Sequence, residues 1–263
     1  MQRQTSRSRA KNRSSYSAPA LEKGMDIMEL LAENEAGLTV SEIAKRLGRR
    51  MSELFRVIMV MESRDWLRKD PDTSLYSLTY HVLRLAHRGT PAQSLITGAG
   101  AVMYELSTRI NQSCHLVVLS GAQGMVIARH ENQKRHANLS VRVGASINLV
   151  SSCSGHVLLA NLDSHHYANV TKMIPRPWKI PEKKLEKMLE QVRKRGYEMF
   201  RSPITAGVTD ISCPIRGFDG SVTAALTVPY LHVLDDSLPT TVEQTRRLLE
   251  SAAARISKSL GWK

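Results

Sequence analysis

Cys153-Ser154-Gly155-His156 could do chemistry, and the four residues run into an apolar stretch, Val157-Leu158-Leu159-Ala160. A cysteine three residues before a histidine invites a nucleophile reading, since a thiol reacts as its thiolate and needs a base or a helix N-terminus beside it. No third group that would orient the histidine is evident. Small residues ahead of a helix suit another chemistry better, because their backbone N–H groups and hydroxyls hold an anion. The segment is therefore read as a carboxylate-binding site made by Leu149, Ser152, Cys153 and Ser154, with no catalytic residue. Asp210, Ser212 and Cys213, from a strand-like run, and Thr227, across a hairpin from them, border the same cavity. Asp210 repels a carboxylate unless it accepts from a ligand hydroxyl, so the ligand is expected to carry both groups, as a hydroxy acid does. His165-His166 raises the question of a metal, but adjacent residues on a helix point apart and no third ligand joins them. No metal and no cofactor is expected.

A second informative set lies in Leu38–Met61. Thr39 can cap a short helix, with Glu42 three residues later closing a capping box. Ile43, Ala44 and Leu47 give that helix an apolar stripe, and Gly48 supplies the left-handed residue that stops it. A second helix then places Leu54, Val57, Ile58 and Met61 on one face and Ser52, Glu53 and Arg56 on the other, behind Arg49 and Arg50. Upstream, Leu21, Met25, Met28 and Leu31 repeat with helical spacing. Downstream, Trp66–Lys69 and Leu75–Leu78 are strand-like runs around Asp70-Pro71-Asp72, a hairpin. Three helices and a hairpin in this order describe a winged helix-turn-helix that reads double-stranded DNA. Thr39, Arg49, Arg50, Ser52, Glu53 and Arg56, with Arg68 and Lys69 on the wing, are its candidate DNA contacts. A helical pair that only packs a core, or docks a protein, is the plainer alternative.

The 263 residues are enough for two ordinary domains, and their net charge of +13 is unevenly spread. Residues 1–20 carry Arg3, Arg7, Arg9, Lys11 and Arg13 and no acid, while residues 21–90 hold eleven basic and eleven acidic residues. The acids of that second stretch sit largely on its first helix, at Glu22, Asp26, Glu29, Glu33 and Glu35, so the DNA-reading domain is neutral but polarised. Cys114, Cys153 and Cys213 lie far apart with no CxxC pair, which suits a reducing compartment and excludes a disulfide framework. No apolar run is long enough to span a membrane, and the N-terminus lacks the apolar core of a signal peptide. A cytoplasmic protein without a membrane partner is expected.

Beyond the wing, Tyr80–His87 reads as a linker helix broken at Gly89-Thr90-Pro91, and residues 92–110 as a longer helix. Strands are expected at His115–Leu119, Met125–Arg129 and Ala137–Val143, the last with Leu139, Val141 and Val143 inward. Helices follow at Ser154–Asn161, Asp163–Met173 and Pro181–Gly196. The cation-rich run Lys183–Arg195 in the last of these is read as a solvated face. Tyr197–Phe200, Ile211–Arg216 and Ser221–Pro229 are strands, the last two joined at Asp219-Gly220, and a helix begins at Pro239.

The run SAPALEKGMDIMELLAENEAGLTVSEIAKRLGRR, the wing ending Tyr76-Ser77-Leu78, the segment GASINLVSSCSGHVLLA and the segment DISCPIRGFDGSVTAALTV resemble, in this order, the IclR family of transcriptional regulators. The resemblance spans roughly residues 18–260. It implies an α+β chain with an N-terminal winged helix-turn-helix, a linker helix and a GAF-like α+β effector-binding domain that takes a small, often acidic or aromatic metabolite. It also implies a homodimer or homotetramer. Two positions depart from the family pattern. Histidine stands at 156 where the family usually has lysine, and Glu53 stands where a small hydroxyl residue is usual. An acidic side chain on a reading helix can accept from a cytosine amino group, which points to a distinct operator. The domains are then a basic tail (1–18), the reading domain (19–80), the linker helix (81–92) and the effector domain (93–263). The leading reading is a ligand-responsive DNA-binding regulator that is not an enzyme. The rivals are a GAF-like enzyme with a redox-active Cys153 and a DNA-binding appendage, or a protein-interaction scaffold. The tail gives a first test. If Arg3–Arg13 neutralise phosphates, deleting residues 1–15 flattens the dependence of log affinity on log salt, and an unchanged slope assigns the tail to solvent.

Overall fold

The computed structural model describes residues 17–89, 92–131, 139–233 and 238–262, so most of the basic tail, Thr90-Pro91 and the start of the expected Ala137–Val143 strand lie outside the described residues. The chain divides into two units, Met1–Thr90 and Pro91–Lys263.

The first unit runs α1 (Pro19–Ala32), α2 (Val40–Leu47), α3 (Met51–Ser63), β1 (Leu67–Lys69), β2 (Tyr76–Leu78) and α4 (His81–Gly89). Its turn chemistry follows the sequence. The Thr39 hydroxyl accepts from the Glu42 N–H at 3.3 Å, and the Glu42 carboxylate accepts from the Thr39 N–H at 2.9 Å. Gly48 ends α2 at φ 63°, a left-handed conformation that a Cβ would strain. Leu54 and Ile58 of α3 are fully buried against Ile27, Leu31, Ile43 and Tyr76, each worth about 2 kcal/mol of burial. One rung was not foreseen. Leu38, just before α2, pairs with Tyr76 of the wing through N–H···O bonds of 3.0 and 2.8 Å, tying the hairpin to the helical pair. The expected α1 stripe holds in its second half, where Leu31 is buried and Met28 packs against the core, and is corrected in its first, where Leu21 and Met25 are exposed and Ile27 is buried in their place. A spacing of three and four fits two faces of a short helix, and the face that meets α3 carries Gly24 and Ile27.

The second unit runs α5 (Ala92–Ile110), β3 (Cys114–Ser120), β4 (Gln123–His130), β5 (Ser146–Ile147), α6 (Cys153–Ala160), α7 (Ser164–Met173), α8 (Glu182–Arg195), β6 (Glu198–Arg201), β7 (Val208–Arg216), β8 (Val222–Leu231) and α9 (Val242–Ser259). The six strands form one antiparallel sheet in the order β5-β4-β3-β8-β7-β6. Alternation along the strands divides their side chains between two cores. Leu116, Ile211, Cys213, Ile215, Leu226 and Val228 meet α5 and α9 on one face. Val117, Val126 and Ala225 meet α6 on the other, with α7 and α8 packed outside it. This sandwich of helix pair, sheet and helices is the α+β architecture read from the sequence. The expected strand at Ala137–Val143 is corrected. Its described part, 139–143, is not a strand, Val143 is 57% exposed, and the edge strand is Ser146–Ile147 instead. Among the described residues no strand pairs with the alternating apolar residues there. The last helix starts at Val242 rather than at Pro239, because Thr241 and Gln244 form a second capping box.

Helix α6 lies against the loop before it at Gly155, where an added Cβ would collide with the backbone of Leu149. Gly155→Ala is expected to destabilise the protein by about 3 kcal/mol. Urea denaturation checks it, and a loss below about 1 kcal/mol would show that the loop gives way freely.

Candidate functional site

The reading helix α3 shows solvent Ser52, Phe55, Arg56 and Met59, all exposed, with Arg50 at its N-cap. Ser52 and Arg56 have no hydrogen bond or ion pair with any described residue, so both are available to a base edge or a phosphate. Other candidates are partly committed. Arg49 donates to Asp26 of α1 at 3.0 Å, and Lys23 of α1 stands 3.4 Å from Glu53. The acidic first helix thus latches the start of the reading helix, and Glu53 faces a cation of its own domain. Thr39 places both its hydroxyl and its N–H on the Glu42 carboxylate, which holds α2 in place. On the wing, Arg68 donates to Ser77 at 3.2 Å and Lys69 is exposed. The wing turn is closed by Asp70, whose carboxylate accepts from the Asp72 and Thr73 N–H groups and lies below the usual carboxylate range because of those bonds. Met51, Phe55 and Met59, spaced by four, form an apolar edge beside this polar face, with Phe55 50% exposed.

In the second unit, local bonds build the start of α6. The Ser152 hydroxyl accepts from the Gly155 N–H at 3.0 Å and donates to the Asn148 carbonyl at 2.6 Å, while the Asn148 side chain accepts from the Val150 N–H. Ser152 is thus a cap. The N–H groups of Cys153 and Ser154, residues 1% and 2% exposed, have no acceptor among the described residues. Two buried first-turn donors without partners mark a place where an anion would be stabilised. The Cys153 thiol donates to the Asp210 carbonyl at 3.2 Å, and burial first, then the charges of Asp210 and Glu198, push it well above its ordinary range. A thiol so held stays protonated, the reverse of what a nucleophilic cysteine needs. Burial also raises the Asp210 carboxyl.

His156 is 1% exposed and lies between two acceptors: Nε2 is 2.8 Å from the Val150 carbonyl and Nδ1 is 3.0 Å from the Glu198 carboxylate. A carbonyl only accepts, so Nε2 carries hydrogen and donates to it. Glu198 also accepts from the Met199 N–H at 2.9 Å and from Arg195 at 3.3 Å. Position 156 is therefore a buried strut from α6 to β6.

Register places Glu198 of β6 beside Ser212 of β7, Ser212 beside Thr227 of β8, Thr227 beside His115 of β3, and His115 beside Arg129 of β4. The five make one polar stripe across the α6-facing side of the sheet. Ser212 and Thr227 hydroxyls bond each other at 2.9 Å, and Arg129 pairs with Glu131 at 3.0 Å. His115, 5% exposed, has no hydrogen-bond partner among the described residues. The structure brings Cys153 against Asp210 and Ser212 against Thr227, on the sheet face that α6 covers, with Leu149, Ser152 and Ser154 at the start of that helix. It separates Cys213, which points through the sheet into the α5–α9 core, where burial raises its thiol. Ser212 and Cys213 are neighbours on a strand and so face opposite sides. Sequence reasoning missed His115 and Glu198. A polar residue in the run Cys114–Leu119 was the available signal. His165 and His166 are exposed on α7, bonded to Asn169 and Asp163 respectively.

A wing-bearing reading helix and a separate sheet domain with an anion-ready helix start define a DNA-binding regulator with an effector domain. Comparison bears this out. The IclR helix-turn-helix domain matches residues 20–71, and the bacterial transcriptional regulator IclR C-terminal domain matches residues 89–258. The chain belongs to the IclR family: it binds DNA through its helix-turn-helix and a small-molecule effector through its C-terminal domain. Among its relatives is the HTH-type transcriptional regulator XynR of Escherichia coli, 25% identical over 253 residues, covering 92% of this chain and 97% of that one. The HTH-type transcriptional repressor AllR of Escherichia coli is 24% identical, covering 94% of this chain and 92% of its own. An IclR homologue from Microbacterium hydrocarbonoxydans, solved in complex with 4-hydroxybenzoate, is 27% identical with a TM-score of 0.75, covering 92% of this chain and 98% of that one.

Burial lowers the His115 pKa from 6.5 to about 4, so the folded protein keeps it neutral where the unfolded chain takes up a proton. Its contribution is complete above about pH 6.5 and is lost as pH falls toward 4, by roughly 3 kcal/mol in all. Urea denaturation at a series of pH values should show that decline, and His115→Leu should flatten it. A decline of the same size in the variant would assign it to other groups.

Proposed function

We propose that the protein is a ligand-responsive regulator that stays on its operator through α3 and the wing and answers a carboxylate-bearing metabolite held at the start of α6. The observation that carries the effector half is the pair of buried N–H groups at Cys153 and Ser154 with no acceptor among the described residues. A carboxylate there gains the helix dipole and two hydrogen bonds at once. Leu149, Ser152 and Asp210 shape the mouth of the site. The 4-hydroxybenzoate held by the Microbacterium homologue is a ligand of this kind, a carboxylate with a hydroxyl. On the reading side, Ser52 and Arg56 address base edges, while Arg50, Arg68 and Lys69 address phosphates. Arg49 and Glu53 act chiefly by holding α3 to α1.

The protein acts in the cytoplasm without a membrane partner; no helix among the described residues is long and apolar enough to cross a membrane. It works as a homodimer or homotetramer, a reading supported by the exposed Leu83 and Leu85 of α4. A metabolite that binds one arrangement of the copies more tightly than another shifts the spacing of the reading heads. It is not an enzyme, a reading supported by the protonated, hydrogen-bonded state of Cys153.

The test is selection of duplexes from a randomised pool, followed by gel shift with a metabolite panel. Arg56→Ala should weaken the selected duplex by about 1–3 kcal/mol with an unchanged circular dichroism spectrum. Ser154→Leu, in the unit without the helix-turn-helix, should keep the duplex and lose the metabolite's effect. A Ser154→Leu protein that still answers the metabolite with unchanged affinity would move the effector site elsewhere.

A further inference from the structure

Among the described residues His115 is a neutral, buried imidazole without a partner, at the centre of a stripe whose charged members are paired. Glu198 is held by His156, Arg195 and the Met199 N–H, and Arg129 by Glu131. In the Ser212–Thr227 pair one hydroxyl donates and the other accepts, which leaves one hydroxyl hydrogen over. Helix α6 packs across β6, β7, β8 and β3, so these groups lie on the sheet face that it covers. Folding rarely leaves a buried donor and acceptor idle, and such a group is matched when something else supplies the other half of the bond.

We infer that His115, with the Ser212–Thr227 pair beside it, is the specificity end of the effector site, and that it reads an alcohol or phenol hydroxyl on the ligand. This rests on the reading that a carboxylate sits at the start of α6. A hydroxyl both donates and accepts, which fits a neutral imidazole of either tautomer and the spare hydroxyl hydrogen. A second carboxylate does not fit. No unpaired cation stands in the stripe, and Glu198 and Asp210 on the same sheet face would repel it. An unsubstituted acid leaves His115 and the hydroxyl hydrogen unmatched, and a buried polar group left unpaired on binding is what rejects a ligand lacking its hydroxyl. The effector is therefore a monocarboxylic hydroxy acid.

Two sets of probes test this on the full-length protein by calorimetry and thermal shift: 4-hydroxybenzoate, benzoate and terephthalate, and lactate, propionate and malonate. In whichever set binds, the hydroxylated member should bind at least about ten-fold more tightly than either counterpart. His115→Leu should bring all three within about two-fold of one another, and His115→Gln, which keeps a donor and an acceptor, should restore part of the preference. A ligand-free arm separates a reading role from a structural one: near pH 7, His115→Leu should melt no lower than the parent, because it removes an unmatched group rather than a bond. A preference that survives His115→Leu, tighter binding of a dicarboxylate, or a fall of several degrees in the variant's Tm would each overturn the inference. Binding of benzoate and 4-hydroxybenzoate with equal affinity would overturn it while leaving the carboxylate site standing. Failure of all six acids to bind would overturn both.

Discussion

The contact between His156 and Glu198 fixes where helix α6 lies, and the chemistry of the second unit follows from that position. The ring spans from the Val150 carbonyl to the β6 carboxylate, so it fastens the loop before α6, the helix and the sheet to one another. With the helix so fixed, its first two N–H groups come to rest in a buried place, and a loop as tight as 148–152 is possible because Gly155 presents no side chain to Leu149. A buried, fully hydrogen-bonded pair of this kind contributes little net stability against an apolar substitute, but breaking it on one side leaves a stranded polar group. Its value lies in holding one geometry. A lysine at 156 would have to place a charged amine in the same buried space.

The reading unit solves a different problem with the same means. Equal numbers of acids and bases in residues 21–90 give it no overall attraction for a polyanion. The structure separates the charges: Asp26 and Lys23 of α1 engage Arg49 and Glu53 at the start of α3, while Arg50 and Arg56 stay exposed. Part of the apparent cationic surface is thus spent on orienting the helix. What α3 itself leaves uncommitted, beside Arg50 at its N-cap, is a narrow face of Ser52 and Arg56, bordered by the apolar edge of Met51, Phe55 and Met59.

The two units differ in how openly the sequence declares them. The helix-turn-helix is written in local signals, the Thr39–Glu42 box and the stop at Gly48, which act within a few residues and survive any packing. The start of α6 was equally local, so Ser152, Cys153 and Ser154 were found together. The stripe was not, because it is assembled by register. Glu198, Ser212, Thr227, His115 and Arg129 come from five strands, and only the order β6-β7-β8-β3-β4 makes them neighbours. Cys213 shows the same limit from the other side. Adjacent to Ser212 in sequence, it belongs to the opposite face, and which of the two faced α6 depended on where β7 begins. The strand expected at 137–143 failed for a related reason: alternation describes a surface, and only a partner turns it into a strand.

The three cysteines give the second unit an unreactive exterior. Cys114, Cys153 and Cys213 are all buried, and burial raises each thiol, Cys114 to about 12. Alkylating reagents and mild oxidants act on exposed thiolates, so they find no target while the domain is closed. Each thiol becomes modifiable only when its own layer opens, Cys153 with α6 and Cys114 and Cys213 with the α5–α9 core. The rates at which the three are labelled therefore report the opening of the two faces of one sheet separately, a native-state clock that needs no added probe.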